Sequence, residues 1–189
     1  MSQSELLILV LNLLTELQIP YMVTGSVVSS LQGEPRSTHD IDMVIVLEKR
    51  AVKPLSQAFS IDLFYINEES VLDAVERKSM FNLIDSSSGN KVDFWLLTDE
   101  PFDKARFARR QRVEALGINN FYTTTPEDTI LSKLRWTKLA GGSEKQLTDA
   151  IRVFEMQFER LDIAYIKQWI DTLELQAQWQ QLVDQAEPY

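Results

Sequence analysis

Apolar residues recur at helical spacing over residues 4–18, at Leu6, Leu7, Leu9, Val10, Leu13, Leu14 and Leu17, and Pro20 follows the stop. Tyr21-Met22-Val23 is a short apolar run ending at Thr24-Gly25 and predicts a buried strand. Residues 26–32 predict one or two helical turns, and Gly33, Pro35 and the polar run to His39 predict a loop. Residues 40–47 form a second strand pattern. Val52 to Phe59 is weakly helical, and Ile61 to Ile66 is strand-like. Residues 68–75 are helical, with Glu68 and Glu69 in the first turn, where the helix dipole favours acids. Met80–Ile84 and Lys91–Leu97 predict a hairpin across the Ser86-Ser87-Ser88-Gly89-Asn90 turn. Phe102 to Arg110 reads as a helix, and residues 112–124 as one or two short strands broken by Gly117 and Asn119-Asn120.

From there the pattern becomes helical. Thr125-Pro126-Glu127-Asp128 is a helix start, with a capping Thr, Pro at the first helical position and acids behind it. That helix stops at Gly141-Gly142, and Ser143-Glu144-Lys145-Gln146 has the form of a capping box for the next. Asp162 caps a third helix, and Leu175 to Ala186 makes a fourth. The pattern therefore divides into an α/β core over residues 1–124 and a helical region over 125–189, with no repeat or low-complexity linker between them, so the two are expected to pack together. The fold class is α/β (α+β): a short mixed sheet flanked by helices, with a C-terminal helical bundle.

Composition narrows the setting. The chain has no cysteine, which excludes disulfides and thiolate metal sites and suits a reducing compartment. The apolar run Leu6–Leu14 has no basic leader, and no stretch approaches the roughly 18 apolar residues of a membrane span. A cytoplasmic protein without a membrane partner is expected. The net charge of −9 argues against non-specific wrapping of long nucleic acid. Residues 101–140 run the other way, with eight basic and four acidic side chains. That local field suits a triphosphate or a short stretch of RNA, although for any one of these residues a solvated helix face is the simpler reading.

The chemistry concentrates in residues 25–42. Asp40 and Asp42 open the apolar run Met43–Leu47, and in a strand they lie on one face about 7 Å apart. Two such carboxylates repel unless a cation or strong donors lie between them, and hard divalent metals want these oxygen ligands. Gly25-Ser26 follows the first strand, where a glycine lets backbone approach a phosphate and a serine at a helix start offers a hydroxyl and N–H groups. Asp93 sits inside the apolar strand Lys91–Leu97, where an acid needs compensation. Arg36 and Thr38, in the loop between glycine and acids, could brace the turn or meet phosphate.

These residues resemble the nucleotidyltransferase superfamily, with its Gly-Ser, Asp-x-Asp and third Asp on a neighbouring strand. The likeness is strongest to bacterial nucleotidyltransferase-like proteins related to abortive-infection and toxin–antitoxin systems. Gly33, Arg36, Thr38, Asp40 and Asp42 match its Gly-x-x-Arg-x-Thr-x-Asp-Ile-Asp form. Phe81–Ile84 followed by Lys91-Val92-Asp93 resembles the third-acid hairpin, and Thr125–Leu134 and Gly142–Asp149 resemble the helices that follow. The resemblance implies transfer of a nucleoside monophosphate from ATP or another nucleoside triphosphate to a hydroxyl acceptor, which could be an RNA end such as that of tRNA, a protein or a small molecule. It implies Mg²⁺ or Mn²⁺ ions on Asp40, Asp42 and Asp93, about 3.5–4 Å apart, with Asp93 as base. It implies nucleotide binding by Gly25, Ser26, Arg36 and Lys133, and an antitoxin partner. A non-catalytic nucleotide-sensing or partner-binding module is the alternative on the same fold.

Several residues carry competing readings. Asp62 is a rival third acid. Lys133 is either a triphosphate contact or a solvent-facing helix lysine. Asp149 either pairs with Lys133 or Arg135 or touches ligand. His39 abuts Asp40 and shapes the loop. Trp136, Trp169 and Trp179 read as core, and Arg109-Arg110 as a solvated helix face.

Overall fold

The structure is a computed structural model, and it describes residues 1–36, 38 and 40–187. Contacts divide it into two compact units. The first comprises Met1–Thr24 and Thr38–Thr123, and the second Gly25–Ser37 and Thr124–Tyr189. The segment after the first strand, read from sequence with the α/β core, thus groups with the C-terminal helices.

The first unit opens on α1 (Gln3–Glu16), where Ser2 and Glu5 form a capping box and Leu6, Leu7, Val10, Leu11 and Leu14 are buried. Its strands are β1 (Tyr21–Thr24), β2 (Asp40–Ile45), β3 (Phe64–Tyr65), β4 (Met80–Asp85), β5 (Lys91–Leu96), β6 (Gln111–Ala115) and β7 (Ile118–Thr123). They form one mixed sheet in the order β3-β4-β5-β2-β1-β7-β6. The β2–β5 and β1–β7 pairs are parallel and the others antiparallel. Alternation gives one face to Ile41, Met43, Ile45, Val92, Phe94 and Leu96, all 5% exposed or less, which is core. Phe81 stacks on Phe94 with ring centroids 5.0 Å apart. Helices α3 (Lys49–Gln57), α4 (Glu68–Arg77) and α5 (Pro101–Ala108) complete the unit. The strand expected at Ile61–Ile66 shrinks to Phe64–Tyr65. Leu63 and Phe64 both donate their N–H to the Ser60 carbonyl, which coils residues 61–63 into a turn and leaves Ile61 90% exposed.

The second unit contains α2 (Gly25–Gln32), α6 (Pro126–Leu139), α7 (Glu144–Gln157), a 3₁₀ turn (Phe158–Arg160), α8 (Ile163–Leu173) and α9 (Gln176–Gln185). Thr125 caps α6 by accepting from the Asp128 N–H, and Asp162 caps α8 by accepting from Tyr165. The capping box expected at Ser143 does not form: Ser143 precedes α7, but its side chain makes no cap bond. Phe154 packs edge-on against Phe158 and Trp179, with ring centroids 5.2 and 5.5 Å away. Trp136 is 47% exposed and is not core. Among the described residues, no helix is long and apolar enough to cross a membrane.

Candidate functional site

Strand pairing assembles the acids. Asp42 of β2 lies opposite Asp93 of β5, and Asp40 lies opposite Lys91. Residues two apart share a face of a strand, so Asp40, Asp42, Lys91 and Asp93 stand on one side of the sheet. Asn82 of β4 pairs with Asp93, and Thr24 of β1 pairs with Asp42, which extends the polar row. Further along, this face turns apolar. Met22 and Val44 cluster there with Phe107 of α5, and Trp95 and Leu97 pack against them.

The carboxylates have protein partners. Lys91 Nζ lies 3.0 Å from Asp93 Oδ2 and 3.6 Å from Asp40 Oδ2. Asn82 Nδ2 donates to Asp93 Oδ1 at 3.1 Å, and Trp95 Nε1 donates to Asp42 Oδ1 at 3.4 Å. The bond to Asp93, together with the charges of Asp93 and Asp40, outweighs burial and holds the Lys91 ammonium above the ordinary lysine value. Asp93 is 8% exposed, and these partners are the compensation that a carboxylate in an apolar strand requires.

Three carboxylates on one face are a hard-oxygen donor set of the kind Mg²⁺ and Mn²⁺ take. The donor chemistry and the strand register fit a divalent ion. The side chains are turned to Lys91, Asn82 and Trp95. Among the described residues, no three acid or histidine side chains converge on one point as ligands.

The second unit holds the other candidate residues. Gly25 begins α2 directly after Thr24 with φ of 67°, a left-handed conformation that glycine adopts without steric cost. Arg36 grips Asp149 of α7 in a fork, Nε to Oδ1 at 2.9 Å and Nη2 to Oδ2 at 2.8 Å, and Nη2 also donates to Ser26 Oγ at 2.9 Å. Lys133 of α6 donates to Asp149 Oδ2 at 2.7 Å. Ser29 Oγ lies 3.4 Å from the same oxygen. Burial pushes the Asp149 carboxyl up, but the bonds and charges of Arg36 and Lys133 prevail and hold it below the usual carboxylate value. Arg36 is raised in return, chiefly by its bond to Asp149. Gly33 lets this loop reach α7: a Cβ there would stand 2.9 Å from the Val153 nitrogen and 3.0 Å from the Arg152 carbonyl carbon.

Asp40, Asp42 and Asp93 therefore come together in the first unit, and Ser26, Arg36 and Lys133 come together around Asp149 in the second. Lys133 is not a solvent-facing lysine, because it is only 4% exposed. Asp62 is exposed in the turn before β3, a strand separated from β2 by β4 and β5. His39 lies outside the described residues. Arg110 is no solvated helix residue: its guanidinium sits 4.3 Å from the Phe107 ring centroid and 4.9 Å from that of Tyr122. The sequence reading missed Lys91 and Asn82 as partners of the acids. Lys91 was detectable as the residue two before Asp93, which alternation places on the same face.

No family model matches the chain, and neither does any curated protein. Solved structures do. An antigenic nucleotidyltransferase-like protein from Paracoccidioides brasiliensis matches with a TM-score of 0.55 at 15% identity, over 98% of this chain and 94% of that one. The antibiotic-resistance factor ANT(2'')-Ia matches with a TM-score of 0.52 at 12% identity, over 91% of this chain and 95% of that one. The chain has the nucleotidyltransferase fold.

Proposed function

We propose that this protein is a metal-dependent nucleotidyltransferase that moves a nucleoside monophosphate from a nucleoside triphosphate to a hydroxyl acceptor. The observation that carries the reading is the register of Asp42 with Asp93, with Asp40 two residues along the same face, in a chain of nucleotidyltransferase fold. Asp40, Asp42 and Asp93 would hold Mg²⁺ or Mn²⁺, which when bound offsets triphosphate charge and acidifies the acceptor hydroxyl. Asp93 is the base. It takes the hydroxyl proton as the acceptor oxygen bonds to the α-phosphorus, the bond from that phosphorus to the bridging oxygen breaks, and pyrophosphate leaves.

Gly25 and Ser26 open α2, and the N–H groups of a helix start favour phosphate. Arg36 and Lys133 both reach Asp149, with Arg36 also bonded to Ser26, and two cationic side chains beside the start of α2 favour the triphosphate. ATP or another triphosphate is the donor. The acceptor is an RNA end, a protein or a small molecule, the last in keeping with a fold neighbour that is an antibiotic-resistance factor. The sequence likeness to toxin–antitoxin proteins adds a cytoplasmic setting and an antitoxin partner to this reading.

A second reading, nucleotide binding without transfer, is favoured by one observation: Lys91 already occupies the acids. Incubation with each α-labelled triphosphate, Mg²⁺ or Mn²⁺ and a cell extract separates the two. The expected result is label transfer that disappears in the Asp40→Asn/Asp42→Asn protein. Transfer that survives the double substitution overturns the site, and triphosphate binding with no transfer favours the second reading.

A further inference from the structure

We propose that Lys91 is the resident counter-cation of the acid cluster and that a divalent ion gains Asp40 and Asp93 only by displacing it; this rests on the metal-dependent reading above. Lys91 pairs with Asp40 in the β2–β5 register and precedes Asp93 by two residues on β5. Both relationships bring its side chain to the acidic face. The ammonium stands 3.0 Å from Asp93 and 3.6 Å from Asp40, so one positive charge already lies against both carboxylates. An ammonium and a divalent ion cannot share these oxygens, because each repels the other across a few ångströms.

The lysine is suited to leaving. Its side chain is 32% exposed, so it has a path to water, whereas the Asp93 side chain is 11% exposed and stays in place. Asn82 continues to hold Asp93 Oδ1 when Lys91 departs from Oδ2. A lysine is a single charge on a flexible stem, and it releases more readily than the planar fork of an arginine. With the lysine in place its one positive charge offsets part of the charge of Asp40 and Asp93, and the incoming ion must outcompete that tethered charge.

Binding of Mn²⁺ alone to the full chain, followed by electron paramagnetic resonance, tests this without reference to activity. Lys91→Met removes the competitor and keeps the stem, and it is expected to tighten Mn²⁺ binding about tenfold. Lys91→Arg keeps the charge and is expected to bind Mn²⁺ no more tightly than the wild type. If wild type binds Mn²⁺ and Lys91→Met binds it no more tightly, the role assigned to Lys91 is wrong while the metal reading stands. Tightening by Lys91→Arg equal to that by Lys91→Met also overturns the role, since charge would then not be the cause. If neither the wild type nor Lys91→Met binds Mn²⁺, the metal reading itself falls. Circular-dichroism melts of each variant confirm that the comparison is between folded proteins.

Discussion

Arg36 and Asp149 meet in a two-point grip, with both carboxylate oxygens taken by one guanidinium at 2.9 and 2.8 Å. Lys133, only 4% exposed, donates to the same carboxylate. Removing that carboxylate breaks a buried ion pair from one side, which typically costs about 3–5 kcal/mol. Asp149→Ala is therefore expected to lower unfolding stability by about that amount, read as the shift in a urea denaturation midpoint. A loss under about 1 kcal/mol, the range of exposed pairs, would show that the cluster is open to water.

The same grip sets an acid dependence. Asp149 titrates below its ordinary value in the folded protein, so as pH falls the unfolded chain takes up the proton first. The contribution of the pair is complete above the unfolded value of about 4 and is lost as pH falls through the folded value. Below about pH 4 the wild type should lose stability more steeply than Asp149→Asn, which has no proton to gain there. Thermal melts of the two proteins from neutral to acid pH compare the slopes. Parallel curves would mean that Asp149 does not titrate with folding.

Gly33 makes a packing prediction independent of charge. A Cβ there meets backbone, 2.9 Å from Val153 N, 3.0 Å from Arg152 C and 3.1 Å from Ser29 O, and backbone cannot rotate away as a side-chain tip can. Gly33→Ala should destabilise by about 1–3 kcal/mol, as overpacking does. It should also weaken the Arg36–Asp149 grip, because Arg36 follows three residues later. Coupling between Gly33→Ala and Asp149→Asn in a double-mutant cycle measures that link.

How much could be read from sequence follows from the range of each interaction. Asp40 and Asp42 announce their shared face, because alternation is local. The Thr125-Pro126 helix start is equally local and forms as expected. The opposition of Asp42 and Asp93 is not local: it exists only once β2 and β5 align in parallel, and no turn between them sets that register. Lys133 stays open between exposed and bound in the sequence, because its burial depends on Asp149, a partner on the next helix whose pairing the sequence offers only as one alternative. Ser143 is an error of another kind. The capping-box letters are present, but Ser143 has φ of −59° and ψ of 109°, and its hydroxyl makes no bond to the helix. Ile61–Ile66 is an apolar run that strand and turn can both use, and the Ser60 carbonyl decides for the turn.

The third acid can be settled by comparing two single substitutions. Asp93 lies beside Asp42 in the sheet, whereas Asp62 is exposed in the turn before an edge strand. If Asp93 accepts the acceptor proton, Asp93→Asn removes a general base and should slow label transfer by about 10²–10⁴-fold. It should do so without unfolding the protein, since Asn keeps the shape and can still pair with Asn82. Asp62→Asn touches neither the sheet face nor the core and should leave transfer unchanged within about twofold, as surface substitutions usually leave stability within ±0.5 kcal/mol. Measuring both rates at saturating triphosphate, with melting curves alongside, separates loss of chemistry from loss of fold. A large effect at Asp62 with none at Asp93 would move the third acid to the turn and undo the assignment built on the β2–β5 register.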